Sequence, residues 1–126
     1  MSEPLRGVIV SHSGVAQALV SAVGLITGIE GALVPISNEG CDNDALGERL
    51  RQAVADKPAV LFVDLPGGSC LTNSIRYAKR HADIAVVTGV NLAMLLDFVF
   101  HREIPAAEAA RRAKDAGANA IRVTAP

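Results

Sequence analysis

AVLFVDLPGGS, residues 59–69, is the stretch that decides the predicted fold. Its first five residues are apolar without alternation, which is typical of a strand covered on both faces in a parallel sheet. An acid, a proline and two glycines follow, and Ser69 opens a segment with helical periodicity. The stretch therefore predicts one strand–loop–helix unit of a layered α/β domain.

The same alternation of strand and helix extends in both directions from this unit. Further strands are predicted at 7–10, 33–36, 84–87 and 121–124, and helices at 15–26, 44–55, 69–80, 92–101 and 105–116. Gly117 is the predicted C-cap of the last helix. Pro35 favours an edge position for the second strand, because an edge tolerates one missing N–H. The order predicts an α/β fold, an open and mainly parallel sheet with helices on both faces, in a single domain spanning residues 1–126.

Composition narrows the class of protein. Half of the 126 residues are apolar but only 3% are aromatic, so the core must be aliphatic. The net charge of −1 argues against a sequence-independent nucleic-acid binder. The two cysteines, Cys41 and Cys70, have no partnering spacing and predict neither a zinc site nor a disulfide. The most apolar stretch, 84–100, is interrupted by polar residues, and no secretory signal is recognised. We expect a cytoplasmic protein without a metal or cofactor.

Ligand chemistry in an open α/β sheet lies at the carboxyl ends of the strands. Three polar, glycine-rich loops follow the first, third and fourth predicted strands, at residues 11–14, 64–69 and 88–91. His12 stands in the first loop, and a neutral imidazole is a competent phosphoryl acceptor near pH 7. Asp64 begins the second loop, where a carboxylate could accept the other ring N–H and fix the tautomer. Ser13, Gly67, Gly68 and Ser69 are the predicted phosphate-binding residues, since glycines and helix-opening N–H groups suit an anion.

Each of these residues also has a structural interpretation. A histidine after a strand is often a capping residue, and Asp64 and the glycines could simply turn the chain. Ser69 could be the N-cap of the third helix. Cys70 is interpreted as a small buried residue, because no neighbouring base is evident in the sequence. The remaining histidines are interpreted as structural, since they lie near helix ends with free carbonyls; they are His81 and His101.

With these residues in view, the chain resembles the mannose/fructose/sorbose-class IIA domains of the bacterial phosphoenolpyruvate-dependent sugar phosphotransferase system. The matching motifs are VIVSHSG at 8–14, VDLPGGS at 63–69 and VVTGVNLAMLL at 86–96. In that family the histidine of the first motif accepts phosphate from the histidine phosphocarrier protein HPr and gives it to a IIB component. His12 occupies that position, the family's hydrogen-bonding aspartate falls on Asp64, and its phosphate-contacting serine falls on Ser69.

The resemblance also implies a sheet order of 2-1-3-4 plus a short C-terminal strand. It further implies a homodimer that exchanges this strand and a protein peripheral to a membrane permease. Three positions depart from the family pattern: Pro66 stands where Phe is frequent, and Cys70 and Ala93 stand where Pro is common. None is a predicted catalytic or phosphate-binding residue, so we expect the departures to affect the surface that meets HPr and IIB.

Three other functions are considered. The phosphoryl-carrier subunit of a dihydroxyacetone kinase shares the fold and the histidine, and a regulatory phosphoprotein would use the same residue without a role in transport. A nucleotide-binding enzyme is disfavoured. Residues 67–69 lack the Gly-Lys-Ser/Thr ending of a P-loop, and no Gly-x-Gly-x-x-Gly opens the first helix.

Overall fold

A computed structural model describes residues 3–125 of the chain. The strands of this part are β1 (Arg6–Ser11), β2 (Leu33–Ser37), β3 (Ala59–Val63) and β4 (Ile84–Thr88). The helices are α1 (Val15–Thr27), α2 (Asn43–Val54), α3 (Gly68–Arg80), α4 (Leu92–Val99) and α5 (Ala106–Asn119). The strands pair in parallel in the order β2-β1-β3-β4. The predicted fold class and strand order are confirmed, and Pro35 lies on an edge strand.

The sheet separates two apolar layers. Alternate residues of β3 point to opposite faces: Phe62 packs with α1, α4 and α5, whereas Leu61 packs with α2 and α3. Because both faces are covered, all five residues of β3 are buried. This is why its sequence shows no polar alternation.

An aromatic pair joins the sheet to α4. The rings of Phe62 and Phe98 meet edge to face with their centroids 5.2 Å apart, and both side chains are fully buried. Gly7 of β1 lies directly under this contact. A Cβ added there would stand 2.7 Å from the Phe98 ring, so only glycine fits without displacing it.

Helix α5 runs through Gly117 to Asn119, so the prediction that Gly117 is a C-cap is wrong. Gly117 is instead a packing residue, since an added Cβ would collide with Met94 of α4. Its carbonyl accepts a hydrogen bond from Asn91 Nδ2 at 3.2 Å. Helix α4 is also shorter than predicted: it ends at Val99 rather than at residue 101.

The short C-terminal strand expected at 121–124 is not formed within the described residues. Residues 121–125 have no regular secondary structure, and the side chains of Ile121 and Val123 are 77% and 87% exposed. A strand exists only where another strand offers hydrogen bonds, and this segment pairs with neither edge of the sheet in the single chain.

Among residues 3–125, no helix is both long enough and apolar enough to cross a bilayer.

The aromatic contact yields a stability prediction. Phe98→Ala should lower the free energy of unfolding by about 3–5 kcal/mol, because it leaves a cavity against the sheet. Phe100→Ala is the matched control: this ring is 64% exposed, and its loss should cost less than about 1 kcal/mol. Chemical denaturation of both variants measures the difference, and equal losses would contradict the assigned core.

Candidate functional site

The site is built where β1 and β3 end side by side. Val10 of β1 is in register with Val63 of β3, and the Asp64 N–H donates to the Val10 carbonyl at 3.3 Å. The next residues therefore emerge together at the carboxyl edge of the sheet. His12 and Asp64 are brought into contact there, with His12 Nδ1 2.8 Å from Asp64 Oδ2.

Asp64 binds both the ring and the backbone of His12. Its Oδ2 also accepts the His12 backbone N–H at 2.9 Å, and its Oδ1 accepts the Leu65 N–H at 3.0 Å. Two hydrogen bonds from one residue fix the position of the imidazole relative to the carboxylate. An ionised carboxylate can only accept, so Nδ1 carries the ring proton and Nε2 keeps its lone pair.

The environment keeps Asp64 ionised. Its side chain is only 14% exposed, and this burial by itself would raise its pKa. The hydrogen bonds from the His12 backbone and ring and from Leu65 outweigh burial and hold the pKa of Asp64 below its ordinary value. The His12 side chain is 47% exposed. The acid is thus shielded while the imidazole faces solvent.

The turn after β1 holds the histidine in place. Ser11 is fully buried, and its Oγ accepts the Ala16 N–H at 2.8 Å, which ties the strand to the first turn of α1. Ser13 has φ +50°, a left-handed conformation that costs a non-glycine residue about 1–3 kcal/mol. The sequence indicated the loop but not the anchoring role of Ser11, although a serine just before a helical run is a recognisable capping signal.

The N-terminus of α3 faces the same edge of the sheet. Gly67 is the N-cap, in an extended conformation and without a side-chain capping bond, and Gly68 has φ +84°. Ser69 is therefore in the first turn of α3 and is not its N-cap. The first N–H groups of a helix lack partners within the helix, so they can donate to an anion.

Cys70 lies closer to the histidine than the sequence indicated. One ligating atom from each of His12, Asp64 and Cys70 lies within 4.8 Å of the others. The prediction that Cys70 is a buried residue is confirmed. Burial, and then the charge of Asp64, raise the pKa of the thiol, so it stays protonated at neutral pH and is a poor nucleophile. The spacing of these residues in the sequence did not predict their proximity, because the three side chains come from separate segments.

The third predicted loop, residues 88–91, has a supporting role. Val90 N–H donates to the Val63 carbonyl at 3.1 Å, and Asn91 Oδ1 caps α4 by accepting the Met94 N–H at 3.0 Å. The other two histidines lie at helix ends away from this site. The Nδ1 atoms of His81 and His101 contact the carbonyls of Tyr77 and Asp97, at 2.9 and 2.8 Å.

Comparison with known families decides the class of the protein. A family model described as "PTS system fructose IIA component" matches residues 7–114. The chain belongs to this family of phosphotransferase system IIA components. It is therefore a component of a system in which phosphoryl transfer drives sugar uptake.

Solved structures share the fold of this IIA chain. A phosphotransferase component EIIA from Streptococcus agalactiae superimposes with a TM-score of 0.87 at 23% identity, covering 94% of this chain and 96% of that one. A mannose/sorbose-specific IIA subunit from Enterococcus faecalis gives 0.86 at 19% identity, covering 98% and 97%. No curated protein matches the sequence significantly.

Proposed function

We propose that this IIA component accepts a phosphoryl group from HPr on Nε2 of His12 and transfers it to a IIB component for sugar uptake. The observation that supports this most is the 2.8 Å contact between His12 Nδ1 and Asp64 Oδ2. It occupies one ring nitrogen and leaves the lone pair of the other free on an exposed ring.

In the proposed reaction Nε2 attacks the phosphorus carried by HPr. A P–N bond forms to His12 while the P–N bond to the donor histidine breaks, and the Nδ1 proton stays in its hydrogen bond to Asp64. The phosphorylated ring is more positive, and the adjacent carboxylate stabilises that charge. Attack by the nucleophile of IIB on the same phosphorus then returns His12 to its neutral form. No external cofactor is required for either step.

The phosphoryl oxygens need donors more than they need covalent chemistry. We assign this role to the first-turn N–H groups of α3, at Gly68 and Ser69, to Gly67, and to Ser13 in the turn beside His12. Gly68 has a positive φ and open space where a Cβ would stand, so its backbone is accessible to a phosphate. Residues 65–69 are exposed, so they can meet a phosphate carried on another protein.

The departures from the family pattern differ in their exposure. Pro66 is exposed in the loop that follows Asp64, so it is placed to alter docking of HPr or IIB. Leu65, next to it, is 55% exposed and offers apolar surface to a partner. Cys70 is buried and Ala93 half-buried, so these two contribute less than Pro66 to a docking surface. We propose that the protein works in the cytoplasm, at the periphery of a membrane permease.

We also propose a homodimer in which each chain gives its C-terminal segment to the other. Ile121 and Val123 alternate as exposed apolar residues after α5, a pattern typical of a strand. Both β2 and β4 are edge strands that can accept a further strand.

Light scattering should give a mass of two chains, and deletion of residues 121–126 should give one. A monomer for the full chain would contradict this assembly.

Phosphate should attach to His12 alone. Incubation with phosphoenolpyruvate, enzyme I and HPr should label the wild type and His81→Ala equally, whereas His12→Ala should remain unlabelled. His81 is the matched control because it lies at the far end of α3, where its ring stacks on Tyr77 and its Nδ1 contacts the Tyr77 carbonyl. Peptide mapping under alkaline conditions locates the label. Full labelling of His12→Ala would exclude the proposed carrier residue.

Asp64→Asn should slow phosphorylation about tenfold to a thousandfold, equivalent to about 1.4–4 kcal/mol of transition-state stabilisation. An amide is close in shape but cannot offset the developing charge of the imidazolium. Asp56→Asn is the control: Asp56 is exposed, and asparagine tolerates its positive φ. Stopped labelling reactions give the rates, and thermal unfolding checks the fold. An unchanged rate for Asp64→Asn would make Asp64 purely structural.

The phosphorylated protein should carry the Nε2 isomer of phosphohistidine. Asp64 holds Nδ1, so only Nε2 has a lone pair to attack phosphorus. Phosphorus–nitrogen couplings in protein labelled with ¹⁵N in the ring distinguish the two isomers by NMR. A coupling to Nδ1 would mean that the contact with Asp64 breaks before transfer.

A further inference from the structure

Three metal-binding side chains meet at the carboxyl edge of the sheet. His12 comes from the turn after β1, Asp64 from the end of β3, and Cys70 from the first turn of α3. One nitrogen, oxygen or sulfur atom from each lies within 4.8 Å of the other two. We propose that His12, Asp64 and Cys70 together bind a divalent metal ion of the zinc class.

The distances fit a tetrahedral ion after small movements. Zinc binds sulfur at about 2.3 Å and nitrogen or carboxylate oxygen at about 2.0–2.2 Å, so neighbouring ligand atoms stand about 3.3–3.8 Å apart. The contact between His12 and Asp64, at 2.8 Å, must open slightly, and the wider separations, 4.8 Å at most, must close by up to about 1.5 Å. The His12 ring is 47% exposed and has room to turn. Water can supply the fourth ligand from the open side of the ring.

The ligand set selects the class of metal. A thiolate and an imidazole favour Zn²⁺ over Mg²⁺ or Ca²⁺, which prefer oxygen alone. When the ion binds, the Cys70 thiol releases one proton to solvent and forms the metal–sulfur bond. The resulting thiolate and the Asp64 carboxylate balance the two positive charges of the ion, while His12 stays neutral.

Metal binding excludes phosphorylation of the same histidine, a consequence that rests on the proposed function. If the metal takes Nε2, the attacking lone pair is occupied. If it takes Nδ1, the ring proton moves to Nε2, and the protonated nitrogen has no lone pair with which to attack phosphorus. In both arrangements the site cannot act as a phosphoryl acceptor until the metal leaves.

Cobalt(II) titration tests the site without any activity measurement. Metal-free protein lacking a histidine tag is titrated with Co²⁺, which shows a thiolate-to-metal charge-transfer band and intense visible bands in a tetrahedral sulfur-containing site. Wild type and Cys41→Ala should show both, with one ion per chain displaced by Zn²⁺. Cys41 is the matched control, because it is the other free cysteine and lies outside the cluster.

Cys70→Ala should lose the charge-transfer band and bind Zn²⁺ at least about tenfold more weakly. His12→Ala should weaken binding similarly. Because His12 is exposed, this loss cannot be attributed to a disturbed core, as a loss in the buried Cys70→Ala variant could be. Wild-type protein that binds Co²⁺ without the thiolate band, or a Cys70→Ala variant with unchanged affinity, would overturn the proposal.

Phosphorylation provides the second readout. Zn²⁺, added after HPr has been phosphorylated and freed of enzyme I, should stop labelling of wild type and Cys41→Ala. Cys70→Ala, compared with its own metal-free rate, should need at least about tenfold more Zn²⁺. Labelling that persists at saturating metal would overturn the mutual exclusion. A chain that is never labelled without metal would refute the phosphocarrier function, while the cobalt spectrum would still decide the metal site.

Discussion

The hydrogen bond between His12 Nδ1 and Asp64 Oδ2 depends on the pairing of β1 with β3. These strands are adjacent in the sheet although paired residues such as Arg6 and Ala59 are 53 positions apart in the sequence, because β2 is placed on the outer side of β1. Their parallel register ends both strands at the same level, so an acid and a histidine from different loops meet at 2.8 Å. A slip of one residue would turn Asp64 to the other face of the sheet. Close packing opposes that slip, because Gly7 of β1 leaves no room for a side chain against Phe98, and the core thereby positions the site.

Much of this arrangement can be predicted from local sequence, whereas the remainder depends on contacts between distant segments. The unbroken apolar run of β3 predicts a covered strand, and the polar residues after β1 and β3 predict the edge at which chemistry would occur. Gly117 was predicted to be a C-cap because glycine is frequent at that position. In the structure it lies within α5 and makes room for Met94. The nearness of Cys70 to His12 could not be inferred from spacing, because it requires the crossover that brings α3 back over the sheet. The conformation of residues 121–125 could not be predicted from local sequence either, because a strand forms only where another strand offers hydrogen bonds.

The distribution of exposure between the acid and the base has a physical reason. In the proposed transfer His12 has to remain accessible to another protein, and solvent weakens any charge interaction on its open side. Asp64 is the shielded member of the pair, where its field on the ring is least screened. Burial alone would favour its neutral form. Three N–H groups aimed at the carboxylate reverse that tendency and preserve the charge that the ring needs.

The same arrangement explains why the thiol beside this pair does not compete with it. Cys70 is enclosed by the core and faces the negative charge of Asp64, and both effects favour the protonated thiol. A proton-bearing sulfur neither attacks phosphorus nor withdraws the ring proton from its hydrogen bond. A divalent cation changes this balance, because its charge offsets both the carboxylate and the thiolate at once. Under the two proposals the site accommodates positive charge either as a phosphorylated imidazolium or as a metal ion, and the single imidazole allows only one of them at a time.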